Sequence, residues 1–313
     1  MSTTVLRSPE GWWVQTGDQA AAITTGATTT AQLLADRAAI TAAAGGAPSR
    51  SVDSLQLLSP VTTPCRVVAQ MANYASHARD AGIDPARMPL TFFRKASGSV
   101  TGGNGYVIRP PHVKFLDYEI EIGLVIGREI PVGATIDDSN WRDYVAGLVL
   151  TNDVSAREVQ LTKTQFYESK SYPTFTPVGP ALVLTEPGEL AGFDSLRMTL
   201  SVNGEVRQEA TVGGDIIYPP AKALAALTRF QQLSPGDLVL TGTPVGTALS
   251  APPKPVEKIA ALLPPATKWK LFFKAQAKNP KYLRDGDVID ASAATADGAL
   301  DLGTQRLTVV APG

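Results

Sequence analysis

Phe115-Leu116-Asp117-Tyr118-Glu119-Ile120-Glu121-Ile122-Gly123-Leu124-Val125-Ile126-Gly127 is the stretch whose reading decides the fold. β-branched and aromatic residues dominate it, with Pro110-Pro111 before it and Gly127 closing it, which predicts a β-strand. Side chains alternate faces along a strand, so Ile120, Ile122, Leu124 and Ile126 fill one face. Glu119 and Glu121 share the other face, about 6–7 Å apart at strand rise, and Gly123 and Val125 continue that face. Both faces therefore read as buried. Two like charges on a buried face are costly and drive one carboxyl toward its neutral form. A divalent cation between them removes the conflict.

The next acid in reach is Asp153, where the expected strand Tyr144–Thr151 gives way to a helix. It reads equally as a third metal ligand or as a helix N-cap. Arg157 and Gln160, three apart, share a face of that helix. The chain has only two histidines, His77 and His112, and a single Cys65. A zinc site of His and Cys is thereby nearly excluded, and an ion held by carboxylates is a hard one: Mg²⁺, with Mn²⁺ or Ca²⁺ as substitutes. His77 and Asp80, at i and i+3 in a segment that can form one or two helical turns, read as a candidate general base and the carboxylate that orients it.

Composition excludes other classes. At 313 residues, net charge −1 and 18% charged residues, the chain reads as an ordinary globular protein, with no basic run for a nucleic acid. Met1–Gln15 has no apolar h-region, and no apolar run reaches membrane-spanning length. The single cysteine rules out an internal disulfide framework, which together with the missing leader predicts a reducing, cytoplasmic setting.

Along the chain, residues 1–60 read as a small N-terminal domain: a strand at Gly11–Gln15, an Ala-rich helix from Thr30 to Ala44 and a second strand at Leu55–Leu58. Residues 61–313 read as the main domain. Its expected pieces include strands at Arg66–Ala69 and Leu90–Lys95, a Gly-rich loop over Gly98–Gly105, and a proline-pinned loop from Glu168 to Pro180. Asn203-Gly204 signals a hairpin, and Pro219–Phe230 an amphipathic helix. About 250–280 is a helical insertion, with expected helices at Val256–Leu263 and Thr267–Lys278. Its lysines, Lys254, Lys258, Lys268, Lys270, Lys274 and Lys278, recur beside Trp269, Phe272 and Phe273; it is expected to roof the pocket or extend a dimer contact.

Six pieces in order resemble the fumarylacetoacetate hydrolase family over roughly residues 60–247, with similarity in the last strands. They are Asn73-Tyr74 with His77; Asp117 through Glu121; Asn152 through Arg157 with Gln160; Lys170-Ser171 with Pro177 through Pro180; Val202 through Glu205; and Pro235-Gly236-Asp237 through Pro244. The resemblance implies an α+β, β-rich mixed β-roll, usually a homodimer. It also implies Mg²⁺ on Glu119, Glu121 and Asp153, and Lys170 at the developing oxyanion. Arg157 and Gln160, with Tyr74 and Thr243, would bind substrate. Family members cleave C–C bonds in acylpyruvates and other 1,3-diketones, or decarboxylate or isomerise related keto acids. Asp80 stands where many members have Glu, Pro173 where Asp or Gly is commoner, and the 250–280 segment is absent from short members. The expected activity is a Mg²⁺-dependent C–C hydrolase in which His77, aided by Asp80, activates water. The alternatives are a β-keto acid decarboxylase or keto–enol isomerase on the same site, and a metal-dependent binding protein without turnover.

Overall fold

The computed structural model describes residues 2–163, 165–251 and 262–313. Ile120–Ile126 is a strand buried at every position. It lies between two antiparallel neighbours, Val145–Asn152 and Leu238–Leu240, with Glu121 opposite Thr151 and Gly123 opposite both Val149 and Leu240. The expected run from 115 is broken: Leu116–Asp117 pairs instead with Ser155–Ala156 in a two-stranded sheet of its own. From the central strand the sheet extends through Thr176–Leu184 on one side. On the other it runs through Leu238–Leu240, in parallel, to Val67–Gln70, and then to Phe92–Lys95.

The alternation predicted from sequence divides two cores. Ile120, Ile122, Leu124 and Ile126 pack with Leu148, Met198, Leu200, Ile289 and Leu307. Val125, on the other face, packs with Val5, Leu33, Val149 and Leu182. The first core is covered by a second sheet of five strands, Glu205–Thr211, Arg197–Val202, Val288–Ala294, Asp301–Val310 and Asn104–Ile108, in that order. Buried Gln305 ties the layers, its amide donating to the Leu150 carbonyl at 2.9 Å and the Gly179 carbonyl at 2.8 Å. The architecture is α+β and β-rich with large mixed sheets, as expected.

The first strands, Thr3–Ser8, Gly11–Thr16 and Gln19–Ala22, form a meander that joins the main sheet, with Val5 opposite Leu182. The Ala-rich run is two helices, Thr30–Ala35 and Arg37–Ala44. Asp36 ends the first, and its carboxylate accepts from the Ala39 amide to start the second. Leu55–Leu58 forms no strand, only a bridge from Leu58 to Arg7.

Two loop expectations are corrected. Gly98–Gly105 contains the strand Val100–Gly102 and the start of Asn104–Ile108. Its glycines serve close backbone approach: a Cβ on Gly103 would lie 2.6 Å from the Gly179 carbonyl. The Glu168–Pro180 segment is partly strand, beginning at Thr176. Its prolines are tolerated because the pairing with Val145–Asn152 shifts register there, between Val149 and Thr151. In the insertion, a helix spans Pro265–Gln276. Most of the expected helix Val256–Leu263, with Lys254 and Lys258, lies outside the described residues. No described helix is long and apolar enough to cross a membrane.

Candidate metal centre and active site

Glu119, Glu121 and Asp153 converge at one end of the central strand. Each offers a carboxylate oxygen within 4.8 Å of the others, and all three are buried. The backbone fixes this: the Asp153 amide donates to the Glu119 carbonyl at 2.8 Å, so the acid after one strand is locked beside the acid before its neighbour. The N-cap alternative for Asp153 does not hold. The next helix starts at Arg157, and the Asp153 carboxylate accepts from Lys95 and, at 2.5 Å, from Lys170. Lys170 also reaches Glu119 at 2.7 Å, so its ammonium spans two of the three acids.

Arg157 is held by three side chains. Its Nε donates to Asp117 at 2.8 Å, and its terminal nitrogens to Glu119 at 2.5 Å and Gln160 at 2.8 Å. Asp117 in turn accepts from the amides of Ala248 and Leu249. The helix face read from sequence thus carries Arg157 and Gln160 to the acids as a joined pair.

The electrostatics follow from burial and charge balance. Four buried carboxylates, Asp117, Glu119, Glu121 and Asp153, face three buried cations, Lys95, Arg157 and Lys170. Burial alone would raise the Glu119 carboxyl, but Lys170 and Arg157 outweigh it and hold it at about 2. Glu121 goes the other way: burial, then the charges of Asp153 and Glu119, push it well above the carboxylate range. Its carboxylate accepts from the Gly242 amide at 2.7 Å. Burial lowers Lys95 against the pull of Asp153, whereas in Lys170 burial is overcome by Asp153 and Glu119 and the ammonium is favoured. An all-oxygen donor set with one carboxylate short of a counter-charge fits a hard divalent cation.

His77 sits on the helix Ala75–Asp80. Burial lowers its basicity, and the charges acting on it are those of Glu119, Arg157, Lys170 and Asp117. Its Nδ1 is buried without a hydrogen-bond partner. The expected pairing with Asp80 is not formed: no hydrogen bond joins them among the described residues, and Asp80 contributes only its carbonyl, to Ala251. Tyr74 is fully buried, its phenol pushed up by burial and then by the charge of Glu121, which places it at the metal corner. Thr243 is buried, its hydroxyl accepting from the Gln208 amide at 2.8 Å.

Two site residues escaped the sequence reading. Lys95 is buried at the end of Phe92–Lys95 and bonds Asp153 and the Phe175 carbonyl. Gln208 is buried in the second sheet and links the Ile120 amide to Thr243 and Pro244. The signal for Gln208 was a polar residue at a core-facing place in a hairpin; Lys95 offered none beyond its position at a strand end. Gly242 has φ +90°, and a Cβ there would lie 2.7 Å from that of Asn73. Asn73 bonds the segments on both sides of it, donating to the carbonyls of Thr241 and Tyr218 at 2.8 and 3.0 Å.

A family model described as fumarylacetoacetate (FAA) hydrolase C-terminal matches residues 66–310. Among curated proteins, the chain is 34% identical over 197 residues to "Oxaloacetate tautomerase Fahd2a, mitochondrial" of Rattus norvegicus, covering 63% of this chain and 61% of that protein. The chain thus spans about six-tenths of that relative's length. Among solved structures, a probable 2-hydroxyhepta-2,4-diene-1,7-dioate isomerase from Mycobacterium abscessus superposes over the whole of both chains with a TM-score of 0.76 at 29% identity. A fumarylacetoacetate hydrolase from Exiguobacterium antarcticum shares the fold, with a TM-score of 0.70 at 24% identity over the whole of both chains.

Proposed function

The chain belongs to the fumarylacetoacetate hydrolase family, and on that premise we propose that it is a metal-dependent keto–enol tautomerase of small 2-oxo acids. Its substrates carry an acidic C–H between two carbonyls, with oxaloacetate the simplest. The observation that carries this reading is His77: half-buried, under the charge of Glu119, with Nδ1 lacking a hydrogen-bond partner and, among the described residues, no carboxylate bonded to the ring. Water activation calls for a supported base, whereas moving one proton between carbon and oxygen needs only a neutral imidazole in reach. The names of the rat tautomerase and the mycobacterial isomerase support the same class of reaction.

Mg²⁺ on Glu119, Glu121 and Asp153 would supply a Lewis acid that polarises the substrate carbonyl. Arg157, with Gln160, offers the charge that binds the substrate carboxylate. Lys170, held cationic by Asp153 and Glu119, stabilises negative charge gathering on the carbonyl oxygen. His77 takes the proton from the carbon between the carbonyls, and a proton delivered to the oxygen completes the enol; the reverse path restores the ketone. One C–H bond breaks and one O–H bond forms; no C–C bond is cleaved and no water is consumed.

C–C hydrolysis, the first expectation from sequence, ranks second here because Asp80 does not support His77. The test is purified protein with Mg²⁺, oxaloacetate and a panel of acylpyruvates, following enol absorbance and pyruvate together. A tautomerase speeds the absorbance change without releasing pyruvate. Since burial lowers His77 below its ordinary 6.5, kcat/KM should stay flat down to that pH, fall below it, and lose that limb in His77→Ala. Stoichiometric pyruvate from acylpyruvates, with no faster tautomerisation, would overturn the proposal in favour of hydrolysis.

A further inference from the structure

The helix that carries His77 lacks a cap of its own. Its six residues, Ala75–Asp80, follow Tyr74, whose side chain makes no capping hydrogen bond. So short a helix is unstable in isolation, and its first amides need acceptors from somewhere. They find them on Asp215, 139 residues away from Ser76. The Ala75 amide donates to the Asp215 carbonyl at 2.7 Å, and the Ser76 amide to its carboxylate at 2.8 Å. The Ser76 hydroxyl donates to the other carboxylate oxygen and accepts from the Val245 amide at 3.2 Å, two residues beyond Thr243. Three segments of the site rim, 74–80, 215–218 and 241–245, are thereby tied at one point.

We infer that Asp215 is a positioning residue that caps the His77 helix from across the site and sets the place of the imidazole. It bonds none of the metal-corner acids, so it acts on the reaction only through the helix it holds. The inference rests on the proposed role of His77 for its kinetic consequence, but not for the capping itself.

The experiment pairs hydrogen exchange with a double-mutant cycle on the Mg²⁺-loaded protein. In Asp215→Ala, amides 75–80 should exchange ~10-fold faster, the scale of a lost cap, while the Mg²⁺ isotherm stays unchanged. kcat should fall ~10-fold with KM little altered, and the same substitution in a His77→Ala background should cost nothing further. Asp215→Asn keeps one acceptor for the Ser76 amide and should restore part of the loss. If Asp215→Ala does not fold, Ser76→Ala removes the hydroxyl link alone and should shift exchange and kcat the same way, by ~2–5-fold. Unchanged exchange over 75–80, or an equal loss of kcat in both backgrounds, overturns the inference. Wild-type turnover in His77→Ala refutes the proposed base instead, and exchange then decides the cap by itself.

Discussion

Replacing Lys95 with Met tests how the site balances its charge. Lys95 is buried against the Asp153 carboxylate and the Phe175 carbonyl, which it meets at 3.0 Å. Breaking a buried ion pair by removing one partner costs ~3–5 kcal/mol, but Asp153 keeps Lys170 at 2.5 Å. The lower end of the range, ~3 kcal/mol, therefore applies. The Phe175 carbonyl keeps the Val154 amide at 3.1 Å, so losing its second donor adds only ~0.5 kcal/mol. At ~2.1 cal/mol/K of unfolding entropy per residue, a chain of 313 residues should lose ~5–6 °C of Tm. Magnesium should act oppositely on the variant. Lys95 opposes a cation at Asp153, so its removal strengthens ion binding, and Mg²⁺ should raise the Tm of the variant more than that of the wild type. The assay is thermal unfolding in EDTA and across a Mg²⁺ titration. If the variant melts within ~1 °C of wild type in EDTA, or if Mg²⁺ shifts both proteins alike, Lys95 does not hold the charge assigned to it.

Three further outcomes are expected. Glu121→Gln keeps an acceptor for the Gly242 amide but loses a ligand charge; because even outer partners of metal ligands cost up to ~10²-fold in affinity, Mg²⁺ binding by calorimetry should weaken at least that much. Gly147→Ala places a Cβ 2.2 Å from the Val183 carbonyl oxygen, between paired strands that cannot part, so urea unfolding should show a loss of at least ~3 kcal/mol. Burial pushes the Cys65 thiol up to about 11 despite the hydrogen bond from Ser97. Its alkylation should therefore be slow at neutral pH and quicken only as the pH approaches that value, whereas fast labelling at neutral pH would mean the thiol is not buried as described.

Much of this protein was legible in its sequence, because strand alternation is a local property. Acids at 119 and 121 within a two-sided apolar run had to share one buried face wherever that strand went. Asp153 was visible as an acid at a strand end, though its role as a ligand candidate rather than a cap depended on two lysines from elsewhere. Arg157 and Gln160 followed from helical spacing. Tertiary structure decided the partners. Lys95 meets Asp153 across 58 residues and Asp215 meets Ser76 across 139; a lone Lys at a strand end and a lone Asp in a loop carry no period to betray them. Spacing suggested a His77–Asp80 pair, yet proximity along a short helix does not make a hydrogen bond. The helix is anchored by its far end instead, and the imidazole answers to charges brought by other strands. Local pattern fixes which face a side chain takes; which charge it meets there depends on the element that packs alongside, and that is a property of the whole sheet.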